Sequence, residues 1–228
     1  MIDYDKGNRT LLYEMLYSQY SNLAFSFRTD RPVAIRGLER RLIRAFETKG
    51  GYGVFDKYFE RGLLWQRARP EFGRIPDQTP KMPSWSWMGY QGAIEYMAVP
   101  FGQVKWNDEL VSPFKQIQGS RTGQCHTGDI ERAVIRATAR RHFVKPATNG
   151  LVFDEPSRTL TQEFRVVVVG TLKQPLPLNL KDREKSYVLL VVPTNSRKGC
   201  ETYQRIGVGT LERREIDYES PSSEVLIW

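Results

Sequence analysis

The chain has 228 residues, room for one large domain or two small ones sharing a core, and its 40% apolar and 26% charged residues mark a globular protein in water. No run approaches the ~20 apolar residues of a membrane-spanning helix, and Met1-Ile2-Asp3-Tyr4-Asp5-Lys6 has neither the basic start nor the apolar stretch of a secretory signal. The net charge of +8 comes from basic residues interleaved with acids, as in Glu212-Arg213-Arg214-Glu215, with no lysine-rich tail, so nucleic acid is not the expected partner.

Residues 11–20 carry Leu12, Met15, Leu16 and Gln19 at helical spacing and predict a short amphipathic helix. Asp30-Arg31-Pro32 is a helix start, with Asp30 as cap and proline in the first turn. Beyond it Ile35, Leu38, Leu42 and Phe46 line one face and Arg36, Arg40 and Arg44 another. The helix is expected to end at Lys49-Gly50-Gly51, with glycine in the left-handed cap. Gly50-Gly51-Tyr52-Gly53 lacks the strand and glycine spacing of a phosphate loop and reads as cap and turn. Residues 59–67, with Leu63, Leu64 and Trp65, predict a further short helix, and Pro70, Pro76, Pro80 and Pro83 make residues 68–83 a connection.

Strand signals follow. In residues 83–97, serines 84 and 86 alternate with Trp85 and Trp87, so an extended strand would point both rings to one face. Residues 94–99, 102–106, 164–172, 187–192, 204–211 and 224–228 read as strands, and Val166-Val167-Val168-Val169 is a β-branched run typical of a buried one. Residues 130–143 have helix propensity, but as a strand they would turn Ala133, Ile135, Ala137 and Ala139 inward; their strand neighbours favour the second reading. The expected class is α+β: a helical segment, residues 1–82, packed on a β-rich part, residues 83–228, that is an antiparallel sandwich or partly open barrel, the two sharing one core.

Several blocks, in order, resemble the C-terminal region of fungal heterokaryon-incompatibility (HET) domain proteins. They are Tyr20-Ser21, Phe25-Ser26, residues 30–39, residues 50–55, residues 62–67, Pro83-Ser84-Trp85-Ser86-Trp87-Met88 with residues 92–96, residues 100–102 with Trp106, residues 112–114, and the closing strands at 187–192 and 203–209. In that family a HET module similar to TIR domains precedes the tyrosine-serine block. No residues here match it, and Leu23 stands where the family often has arginine. The resemblance implies the accessory region: a non-enzymatic regulatory or interaction module in self/non-self recognition and its cell-death response, partnered by a protein or by an upstream HET module.

Chemistry-bearing residues are sparse. Cys125 and Cys200 are too few for a disulfide scaffold, which fits a reducing, cytoplasmic location. His126 adjoins Cys125, and His142 and Cys200 lie far off without ligand spacing, so neither metal nor cofactor is expected. Arginines cluster at Arg36, Arg40, Arg41 and Arg44 and at Arg132, Arg136, Arg140, Arg141 and Lys145, which reads as solvated charged faces. Glu95 sits in an aromatic segment where burial would raise its pKa toward general-acid range; the competing reading has it in solvent or paired with Arg31. The rings Trp85, Trp87, Tyr90, Tyr96, Phe101 and Trp106 are either core or the lining of an apolar pocket. The second function is therefore a cofactor-free binder or enzyme of cyclase or isomerase type, recruited to fungal secondary metabolism. It would bind an apolar small molecule through Trp85, Trp87, Tyr96, Phe101 and Trp106, with Glu95, Tyr90, Asp30 and Arg31 as acid-base candidates.

Overall fold

The computed structural model describes residues 2–23, 30–76, 81–115, 133–143, 150–156, 163–173, 177–194 and 202–228. Two long helices open it, α1 (Ile2–Ser21) and α2 (Arg31–Phe46). The face of α1 turned inward differs from the expected one. Tyr13 and Tyr17 are buried, while Leu12 and Met15 face solvent, because the tyrosines meet Phe46, Phe55 and Tyr96 and remove more apolar area than leucine or methionine could. On α2, Ile35, Leu42 and Phe46 are buried, Leu38 is half-buried, and Arg36, Arg40 and Arg44 are exposed, as the spacing predicts. Asp30 makes no side-chain cap bond, and the left-handed position after α2 belongs to Glu47 (φ 50°), earlier than the expected glycine. Gly50 and Gly51 instead form β1 (Gly50–Gly51), a hairpin with β2 (Val54–Phe55). Its turn places both Tyr52 and Gly53 at positive φ, the hairpin geometry that suits glycine. A side chain on Gly53 would collide with the Trp87 indole.

The third predicted helix shortens to α3 (Phe59–Gly62). Residues 65–67 become β3 (Trp65–Arg67), paired with β6 (Ile94–Tyr96), while β4 (Gly73–Arg74) pairs with β5 (Tyr90–Gln91). The tryptophan block is not a strand. Ser86 caps a 3-10 turn, Trp87–Gly89, its hydroxyl accepting from Met88 N and donating to Tyr52 O. The turn sends Trp85 and Trp87 into different cores.

The β-rich part is a ring. Here β8 (Ile135–Arg140), β10 (Arg165–Leu172), β11 (Lys185–Pro193), β12 (Thr202–Glu212) and β13 (Ser223–Ile227) pair in that order, and β13 returns to β8. The class is α+β. The sheet closes into a five-stranded barrel where the sequence left a sandwich or a partly open barrel, and β12–β13 is parallel in an otherwise antiparallel ring. Two strands attach outside it, β7 (Val104–Trp106) on β10 and β9 (Leu151–Phe153) on β12. Residues 135–140 are a strand, with Ile135, Ala137 and Ala139 inward.

Alternate residues of all five ring strands, including Ala137, Val167, Leu189, Val208 and Val225, form one cluster with Leu63, Leu64 and Trp85. On the opposite face Val166, Val188, Leu190 and Ile206 form another. Both faces of β10 and β11 are thus covered, which is why their sequences read as unbroken apolar runs. A third cluster joins Tyr13, Tyr17, Ile35, Leu42 and Phe46 to Trp65, Trp87, Tyr90 and Ile94. Two of the three clusters draw on residues from both sides of Met82-Pro83. Among the described residues no helix is long and apolar enough to cross a membrane.

Candidate functional site

Where the end of α1 meets the start of α2 and the β4–β5 hairpin, a half-open cleft of about 530 Å³ forms. Ser21, Asn22 and Leu23 bound one side and Ile75, Gln91, Gly92 and Ala93 another, with Arg31, Arg69 and Glu71 supplying charge. The walls are tied together by polar bonds. Ser21 Oγ donates to Ser18 O and accepts from Ile94 N at 2.9 Å, while Tyr20 Oη donates to Arg31 O at 2.8 Å. Gly92 (φ 114°) has no room for a Cβ, which would stand 2.5 Å from Glu71 O, so this wall depends on glycine.

Arg31 is the most unusual group in the cleft. Its residue surface is only 3% exposed. Nη1 donates to Tyr90 O at 2.9 Å, and Nη2 donates to Ser21 O at 3.0 Å and Gly92 O at 2.9 Å. The guanidinium lies 5.3 Å from the centre of the Trp87 ring. It has no carboxylate partner among the described residues, and Nε is buried without an acceptor. Burial pushes its pKa down to about 10, with nearby Tyr20 opposing the shift. The two other buried arginines differ. Arg61 Nε meets Glu14 at 2.7 Å, and Arg205 meets Asp154 at 3.0 Å.

The other acid-base candidates are dispersed. Tyr90 is buried, but it reaches Arg31 through its backbone carbonyl. Its hydroxyl donates to Ser84 O at 3.4 Å, and burial raises its pKa above the ordinary tyrosine value. Glu95 is exposed on β6, accepting from Gln66 Nε2 at 2.7 Å, so its surroundings are those of the solvent-facing alternative, with Gln66 rather than Arg31 as its partner. Asp30 is exposed.

The five rings named as ligand contacts do not share one cavity wall. Trp85 is sealed in the barrel cluster, Nε1 donating to Ala133 O at 2.9 Å, and Trp87 is sealed in the helical cluster. Tyr96 packs edge-on to Tyr13, Trp106 lies half-buried against the barrel, and Phe101 is exposed beneath Arg61, 4.1 Å from the ring centre. None of the five is among the residues lining the cleft. His142 is half-buried, stacked on Phe164 at 3.9 Å; Cys125, His126, Cys200, Arg132 and Lys145 lie outside the described residues.

Arg69, Glu71 and Gln91 escaped the sequence reading, since the first two sit in the proline-rich connection that reads as a linker. Their signal was the mixed charge of Arg67, Arg69 and Glu71 beside an aromatic block, which is common at surfaces. Compared with protein-family models, with curated proteins and with solved structures, the chain matches none.

Proposed function

We propose that this chain is a non-enzymatic regulatory and interaction module of the heterokaryon-incompatibility type, engaging a protein partner through the solvent face of α1. One observation carries the reading. Leu11, Leu12 and Met15 are 51%, 44% and 49% exposed, and Met15 adjoins both leucines on the helix surface, four residues after Leu11 and three after Leu12. A partner covering them would gain about 1 kcal/mol from each half-exposed side chain. The ordered blocks of sequence support the same reading: residues 30–39, 62–67 and 83–96 meet in the helical cluster, which carries α1 and holds its outer face clear. The cyclase or isomerase alternative has weaker support, because Trp85 and Trp87 serve as core and Glu95 faces water.

The test is a charge-introducing pair, Leu11→Glu with Met15→Glu, compared with wild type by expression in a filamentous fungus and scoring of growth arrest on hyphal fusion. Wild type is expected to alter the incompatibility response, and the pair to leave it untouched while melting at the wild-type temperature. Equal effects from both proteins, or none from either, would remove the proposal.

A further inference from the structure

We propose that the cleft between α1, α2 and the β4–β5 hairpin binds a small organic oxyanion, a carboxylate or a phosphate ester, held by the guanidinium groups of Arg31 and Arg69. The cleft carries an imbalance of charge. A guanidinium buried without a carboxylate retains most of its desolvation penalty, since backbone carbonyls supply partial charge only. At Arg61 and Arg205 the same fold answers this penalty with an acid. At Arg31 it does not among the described residues, although Arg31 lines an open cleft large enough for a small molecule. Three of its N–H groups are used on Tyr90 O, Ser21 O and Gly92 O, which hold the side chain at the wall of the cleft; Nε is buried, so one Nη1 N–H and the positive charge are left for a ligand.

A second cation lines the same cleft. Arg69 is exposed at the same cleft and makes no ion pair among the described residues, so it can turn toward a ligand. The unpaired planar guanidinium of Arg69 suits the two-oxygen edge of a carboxylate or phosphate, and Arg31 adds one N–H and its charge. Among the described residues Glu71 is the one acid of the lining, and their charges sum to +1. It selects against highly charged polyanions, while Leu23, Ile75 and Ala93 offer an apolar wall for the rest of the molecule. This site is separate from the outer face of α1 and stands or falls independently of it.

The experiment is titration of the whole chain with benzoate, with inorganic phosphate, and with benzamide and chloride as neutral and simple-ion controls at constant ionic strength, followed by melting temperature and calorimetry. One of the two oxyanions is expected to raise the melting temperature saturably, and which one does so distinguishes a carboxylate site from a phosphate site. Arg69→Gln is expected to weaken that binding about tenfold, the loss of one charge-assisted pair, with the unliganded melting temperature unchanged. Glu71→Gln is expected to tighten it several-fold, a gain that a merely structural role would not produce. Arg31→Lys tests the anchor, and the two surface variants keep the proposal open to refutation if that protein fails to fold. Failure of both oxyanions to exceed chloride, or unchanged affinity in both Arg69→Gln and Glu71→Gln, would overturn it.

Discussion

Arg205 and Asp154 meet fork to fork out of reach of solvent, Nη2 to Oδ1 at 3.0 Å and Nε to Oδ2 at 3.1 Å. The same guanidinium donates to Leu63 O and Trp65 O and lies 3.5 Å from the centre of the Trp65 ring. One residue of β12 thus binds the loop after β9 to the segment between α3 and β3. Removing only the acid strands a charge, so Asp154→Ala should cost about 3–5 kcal/mol in urea unfolding. A loss below about 1 kcal/mol would mean that the pair contributes little to joining barrel and helices.

Trp85 and Trp87, separated by one serine, should respond differently to the same change. Trp85 Nε1 donates to Ala133 O, whereas Trp87 Nε1 is buried with no partner among the described residues. Trp85→Phe orphans a buried carbonyl and Trp87→Phe relieves an orphaned N–H. The first should therefore be the more destabilising by about 1–2 kcal/mol. The comparison is read from denaturant midpoints, and equal losses would contradict it.

Hydroxyl deletion in the helical core carries a related expectation. Tyr13 and Tyr17 are fully buried with hydroxyls unpartnered among the described residues, and burial raises the pKa of both. Tyr13→Phe and Tyr17→Phe should be neutral or stabilising, within about 1 kcal/mol. A loss above about 2 kcal/mol in either would point to a hydrogen bond made in solution.

Glu39 sets a pH dependence. Burial raises its carboxyl above the usual glutamate range, against the pull of the Gly53 N–H bond (2.8 Å) and of Arg36 and Arg40. A raised native pKa means that the folded state binds more protons than the unfolded one. This contribution to stability is full below the unfolded value of about 4.3 and is lost as pH rises through the folded pKa. Glu39→Gln keeps an acceptor for Gly53 and removes the titration. The variant should be more stable than wild type at pH 7, with the advantage shrinking toward pH 4. An unchanged difference between the two pH values, measured by urea midpoints, would refute this.

Much of the architecture was written locally. The spacing of Ile35, Leu42 and Phe46 marked the buried face of α2. The valine run of β10 announced a strand covered on both sides. Each of these is a periodicity within one element, so one window of sequence contains it. Tertiary structure decided what depends on distant partners. Tyr13 rather than Leu12 turned inward because Phe46, Phe55 and Tyr96 wait there, and residues 65–67 became a strand because Ile94–Tyr96 pairs with them. Trp85 and Trp87 parted because Ser86 bonds back to Tyr52. The barrel closed through strands remote in the chain, and the Arg31 cleft exists only where residues near positions 21, 31, 70 and 92 converge. Those outcomes follow from the free energy of long-range contacts, which no single stretch of sequence carries.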